Sequence, residues 1–314
     1  MLSYIIRRLL GVIPVVLVVG VFVFSLLHLT PGDPAAIIAG DNATPENIAR
    51  IRANLGLDRP LLKQFASWGW ATVRGDLGVS MFSNIPVNTL VEQRIGPTLS
   101  LTVTTLIVAV SIAVTLGVLA AWKAGSLLDR AVMGLAVTGF SVPVFVVGYI
   151  LVYYVSLKWR LLPVQGYVPL SEGLWPWLSR LILPSFALGL AYVALIARIT
   201  RASMLDVLSE DYIRTASAKG VGTLPILLRH ALKNAAVPII TVIGIGIALL
   251  ISGVVITESV FNIPGIGRLV VDAIARRDYP IIQGVMIIFA GVYVLINLAI
   301  DISYSFLDPR IRYN

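Results

Sequence analysis

Few residues in this 314-residue chain could make or break bonds, and their spacing excludes most such chemistry. There is no cysteine, hence no thiolate nucleophile, no thiolate metal site and no disulfide framework. His28 and His230 are the only histidines, too far apart in sequence to suggest a multi-histidine metal site. Neither a His-Glu-x-x-His pair nor two aspartates in mid-span occur, so intramembrane proteolysis lacks its catalytic groups. Lys219 and Gly220 do not belong to a Gly-x-x-x-x-Gly-Lys-Ser/Thr phosphate loop, so the chain is not expected to bind ATP in that way. An ion relay would need carboxylates or histidines inside a span. His28, Glu258 and Asp301 instead lie near the ends of apolar runs, where they are expected to reach water.

The most informative polar stretch is residues 203–233. Ser209 is the expected N-cap of a short helix, with Glu210 and Asp211 suited to its positive end. Tyr212, Ile213 and Ala216 form an apolar stripe, Lys219 falls in the last turn, and Gly220 sits where a left-handed residue stops a helix. Thr223 and Pro225 start a second helix. Helix, glycine turn, helix has two readings. It is an amphipathic element resting on the membrane surface, or the small residues Thr215, Ala216, Ser217 and Ala218 let it enter a cleft in a partner.

The elements that hold this stretch are apolar. Hydrophobic residues make up 58% of the chain and charged ones 13%, with mean hydropathy +0.91. A soluble protein of that composition could not cover its surface with polar groups. Six runs are long enough to span a bilayer: 9–29, 99–122, 131–157, 181–197, 235–257 and 280–300. Pro143 and Pro184 fall inside two of them and are expected as tolerated kinks. The net charge of +8 comes from no basic run of the kind that binds nucleic acid. Arg7, Arg8, Lys123, Arg130 and the basic residues between Arg198 and Lys233 flank alternate span ends, which places both termini in the cytoplasm.

The loop of residues 30–96 is expected to hold structure on the outer side. Thr44 and Pro45 begin one helix that stops at Gly56, with Ile48, Ile51 and Leu55 on one face. A second, from Pro60 to Val73, is expected to bury Leu61, Leu62, Phe65 and Trp68. Such a layer is a cap on the outer surface or a docking platform. Ala113, Gly117 and Ala121 offer small residues at four-residue spacing for pairing with a second membrane subunit.

The segment YIRTASAKG (Tyr212–Gly220), with NAAVPI from Asn234, resembles the inner-loop motif of binding-protein-dependent ABC importer permeases. The wider superfamily has Glu-Ala-Ala where this chain has Arg214, Thr215 and Ala216, the version of the dipeptide, oligopeptide and nickel branch. PGDP at Pro31, LGLDRPL at Leu55, GDLGVS at Gly75, ESVFNIPGIGRL at Glu258, RDYP at Arg277 and DISYSFLDPRIR at Asp301 extend the similarity along the chain. The large loop after the first span is similar to that of the B-type permease.

The resemblance implies an all-α, single-domain permease over residues 1–314, of the type I importer fold, in a bacterial-type inner membrane. It implies four kinds of partner: a C-type permease, two ATPase subunits carrying ATP and Mg, a periplasmic substrate-binding protein, and lipid. No cofactor or metal on this chain is implied. Tyr212, Ile213, Arg214, Thr215, Ala216, Ser217, Lys219 and Gly220 would form the coupling helix, within a cytoplasmic loop of residues 203–233. Glu258, Phe261, Pro264, Gly265 and Gly267 would lie at the outer mouth near the gate. The substrate would be a short peptide, with glutathione, a nickel chelate or an oligosaccharide as related cargo. A self-contained channel or carrier is the alternative of another class.

Overall fold

The computed structural model describes residues 2–29, 33–39, 44–54 and 56–307. Among them the chain is helical, with one isolated bridge between Val79 and Pro86 and no strand. Pro31, Gly32, Leu55 and residues 308–314, which carry parts of three motifs quoted above, lie outside the described residues, as do the side chains of Arg7, Arg8, Ile51 and Asp301.

Apolar sequence far from water must satisfy its own backbone, so it winds into helices. Val87–Trp122, Leu174–Leu208 and the Tyr279–Ile300 portion of Tyr279–Leu307 are each long and apolar enough to cross a membrane. Two bent pairs, Leu127–Ser141 with Val144–Lys158 and Thr223–Asn234 with Ala236–Ile247, make up to five if each pair is one span. The first helix, Leu2–Leu29, has a shorter apolar part from Ile13.

Three boundaries differ from the sequence expectation, each for a physical reason. The helix around residues 181–197 is just over twice that length, Leu174–Leu208. Arg180 and Arg198 bound the apolar window without ending the helix: Arg180 donates to the Gln165 carbonyl at 2.6 Å, and one turn after Arg198 the helix is still held by Arg201, which pairs with Asp129 at 2.5 Å. At Pro143 the expected kink is a break, with the flanking helices at 104°. Val142 takes an extended conformation (φ −91°, ψ 124°), as a residue before proline does when its helical region is sterically closed. The helix expected from Leu99 begins at Val87, right after the bridge at Pro86.

The chain falls into two compact units. One comprises residues up to Ile95 with Leu269–Val294. In it Thr44 caps the Pro45–Asn54 helix by accepting the Asn47 N–H at 3.3 Å, and Gly56 stops it at φ +67°. Leu61–Val73 packs Phe65 and Trp68 against Phe24, ring centroids 5.3 and 5.8 Å apart, but leaves Leu61 and Leu62 exposed, contrary to expectation. Leu61 shares the helical stripe of Phe65 and Trp68, but it and Leu62 lie in the first turn after Pro60, before the residues whose rings reach Phe24. The GDLGVS and RDYP motifs meet here. The buried Ser80 hydroxyl donates to the buried Asp278 carboxylate at 2.5 Å, and the Met81 N–H donates to the other oxygen at 3.2 Å.

The second unit comprises Gly96–Arg268 and the residues from Leu295. Its core runs through Leu101, Leu181, Leu188, Leu250 and Phe261, and continues in a cluster of Met204, Ile213, Leu227 and Ile239. Ala113, Gly117 and Ala121 serve this unit's own packing rather than lying open for a second subunit. Ala113 and Ala121 are buried, and a Cβ on Gly117 would come within 2.5 Å of the Thr200 Cβ.

Candidate functional site: an inner helix and an outer turn

The inner helix runs Asp211–Ala218. Its N-cap is Glu210, in extended conformation, rather than Ser209, which ends the preceding helix by donating its hydroxyl to the Asp206 carbonyl. The C-terminus is the expected glycine stop. Gly220, at φ +80°, donates its N–H to the Ser217 carbonyl at 2.9 Å, and Val221 reaches back to Ala216 at 3.2 Å. This double bond pattern satisfies carbonyls that a helix end leaves open.

Only Ile213 is buried, inserted among Val118, Met204 and Leu227, with Ala216 half-buried beside it. Tyr212 is 43% exposed and its hydroxyl accepts from Asn234 at 2.9 Å, which fixes the helix to the segment that follows. Arg214, Thr215, Ser217, Lys219 and Gly220 all face outward. Arg214 pairs with Asp211 at 3.3 Å, but both are largely solvated, so the pair adds little. The helix is therefore held by one apolar anchor and one phenol, and offers the rest of its surface.

The outer turn is built the other way. Glu258, expected to reach water, is fully buried. Its carboxylate accepts the Thr98 hydroxyl at 2.6 Å and the Arg268 N–H at 2.9 Å, while the Thr98 oxygen accepts the Ile266 N–H at 2.8 Å. Ile266 and Arg268 open the Ile266–Arg276 helix, so Glu258 and Thr98 together cap its unsatisfied first-turn donors. A negative charge is favoured at that end. The residue does not need water because the helix N-terminus replaces it.

Gly265 and Gly267 make room for this. A Cβ on Gly265 would overlap the Glu258 carboxylate, and one on Gly267 would lie 2.6 Å from the Val255 Cα. Phe261 is buried with its carbonyl accepting from Gly166 at 2.9 Å, and its ring lies against Gly148. Pro264 is exposed at the tip. The structure thus brings Glu258, Phe261, Gly265 and Gly267 into one packed turn and leaves Pro264 outside it.

Sequence reasoning missed Thr98, 160 residues before Glu258, and the Asp129–Arg201 pair. Thr98 follows Pro97 inside an apolar helix and reads as filler. Asp129 carried a local signal: it takes the Gly125 N–H at 2.9 Å, next to the Ser126 N-cap. Its partner 72 residues away did not.

Comparison with known proteins agrees with the motifs. Residues 113–313 match the family of the binding-protein-dependent transport system inner membrane component, and residues 1–102 match its N-terminal region. A probable peptide ABC transporter permease of Sinorhizobium fredii is 56% identical over 310 residues, 99% of each chain. The dipeptide transport system permease DppB of Escherichia coli is 41% identical over 337 residues, 100% of this chain and 99% of its own. The glutathione transport system permease GsiC of Salmonella typhi is 44% identical over 313 residues, all of both chains. The chain belongs to the binding-protein-dependent transport inner membrane component family, as a B-type permease.

Proposed function

We propose that this permease crosses the inner membrane six times with both termini cytoplasmic, and passes short peptides released by a periplasmic binding protein. The loop of residues 30–96 then faces the periplasm and residues 203–233 the cytoplasm. A C-type permease completes the path, and two ATPase subunits carry the ATP and Mg. The outward surface of the Asp211–Ala218 helix carries the reading, because a helix anchored only by Ile213 and the Tyr212 hydroxyl is shaped to seat in a groove of another protein. Peptides are favoured over glutathione by the relative with the higher identity.

In this mechanism ATP closes the two ATPases, the inner helices move with them, and the spans open outward. The helix must act as a stiff lever. Ser217→Arg, which crowds the outward face, and Gly220→Pro, which cannot hold φ +80°, should abolish uptake while ATP hydrolysis persists. Purification of the tagged chain from native membranes should recover two ATPases and a second permease. Recovery of this chain alone, or normal uptake by both variants, would overturn the assignment.

A further inference from the structure

The first unit contains a cavity of about 580 Å³ that the mechanism above does not use. Its size is within the range of small-molecule sites. Phe24, Trp68 and Leu77 give it an apolar wall, and Arg59 and Asp76 line it with opposite charges. Among the described residues these two do not pair. No ion pair joins them, so their charged groups stay more than 4.0 Å apart, and neither has another charged partner.

Both residues sit on hydrogen-bonded loops. Gln64 donates to the carbonyls of Leu57 and Arg59 at 3.2 and 2.8 Å, and its own oxygen faces His28 at 3.1 Å, which ties down the chain beneath Arg59. On the other side the Asp76 carboxylate accepts the Gly78 N–H at 2.9 Å. Asn88 brackets the same loop through Gly75 and Leu77. Two opposite charges that line one cavity without pairing to each other match a ligand that carries both charges itself.

We infer that this cavity binds a small zwitterion with separated termini, a dipeptide, with its ammonium at Asp76 and its carboxylate at Arg59. An extended dipeptide spans about 7 Å at roughly 3.5 Å per residue, long enough to address two charges more than 4.0 Å apart, whereas a free amino acid carries both of its charges on one Cα. Trp68 and Phe24 meet the side chains without selecting among them. The inference deepens the proposed function and rests on its peptide reading, since it assigns this chain a subsite of its own besides the binding protein's.

The test uses the assembled transporter in nanodiscs without binding protein, titrated with L-alanyl-L-alanine. The signal is Trp68 fluorescence, isolated by difference against Trp68→Phe. Arg59→Gln and Asp76→Asn should each weaken binding about tenfold or more, the loss of one charge-assisted contact. The N-acetylated dipeptide should bind wild type as weakly and lose nothing further with Asp76→Asn. The dipeptide amide should behave likewise with Arg59→Gln, and free alanine should bind at least tenfold more weakly than the dipeptide. Both side chains are exposed and in no ion pair, and asparagine keeps the oxygen that accepts the Gly78 N–H, so melting temperatures should match wild type. Charge-dependent binding without ATP-driven peptide uptake would support the cavity and sink the peptide part of the proposed function. Uptake with binding that is absent, or indifferent to both substitutions, would overturn the cavity and leave that function standing.

Discussion

Gly220 stops one helix and Gly267 lies in the first turn of another, in opposite surroundings. Around Gly220 nothing lies within 4 Å of where a side chain would begin, and the residue is needed for φ +80°. At Gly267 the backbone of Val255 lies 2.6 Å from that point, and no room exists for a methyl group. One glycine supplies a conformation and the other supplies space. The difference extends to the regions around them. The inner helix keeps its surface open and its attachments few, whereas the outer turn buries a carboxylate and satisfies it from two other elements. An open helix surface and a packed turn around a buried carboxylate place opposite demands on packing.

The contrast can be broken by substitution. Gly267→Ala should cost the most. Overpacking usually costs about 1–3 kcal/mol, and the obstacle here is backbone, which cannot rotate away. A melting temperature equal to wild type in detergent would remove the distinction between the two glycines. Glu258→Ala should come next, at about 1–3 kcal/mol, because it strands the first-turn donors of the Ile266–Arg276 helix in a buried site. Glu258→Gln keeps an acceptor oxygen in place and should recover part of that loss. Gly220→Ala meets no atom and should cost only the left-handed conformation, about 1–2 kcal/mol. Arg214→Ala, on the solvated face of the inner helix, should leave the stability within about 0.5 kcal/mol of wild type. A large loss there would mean that the helix is held by more than Ile213 and Tyr212.

The two regions were also unequally legible. The inner helix was readable almost to the residue, because its signals are local: acidic residues at the start, a 3.6-residue stripe, and glycine at the end. The single error, Ser209 for Glu210, arose because both residues can cap and only the path of the preceding helix decides which does. The outer turn was readable as a motif but not as a structure. Glu258 was expected in water for want of any visible partner. Gly265 and Gly267 were read only as part of the mouth that the resemblance implies, not as places where other atoms come close. Leu61 and Leu62 failed for a related reason: their apolar character was visible, while how far along the helix the contact with Phe24 extends was not.

Composition and pattern alone determined that the chain lives in lipid and is helical. They also placed its glycine turns and excluded chemistry that needs cysteine or paired histidines. These follow from short-range physics: transfer of apolar surface, backbone satisfaction within one helix, and the φ freedom of glycine. The tertiary structure alone decided that Thr98 and Glu258 cap one helix, that Arg201 reaches Asp129, that Ser80 meets Asp278, and that Arg59 and Asp76 face one cavity unpaired. A buried polar group must find a partner, but nothing in its own neighbourhood says which distant residue the fold will bring to it.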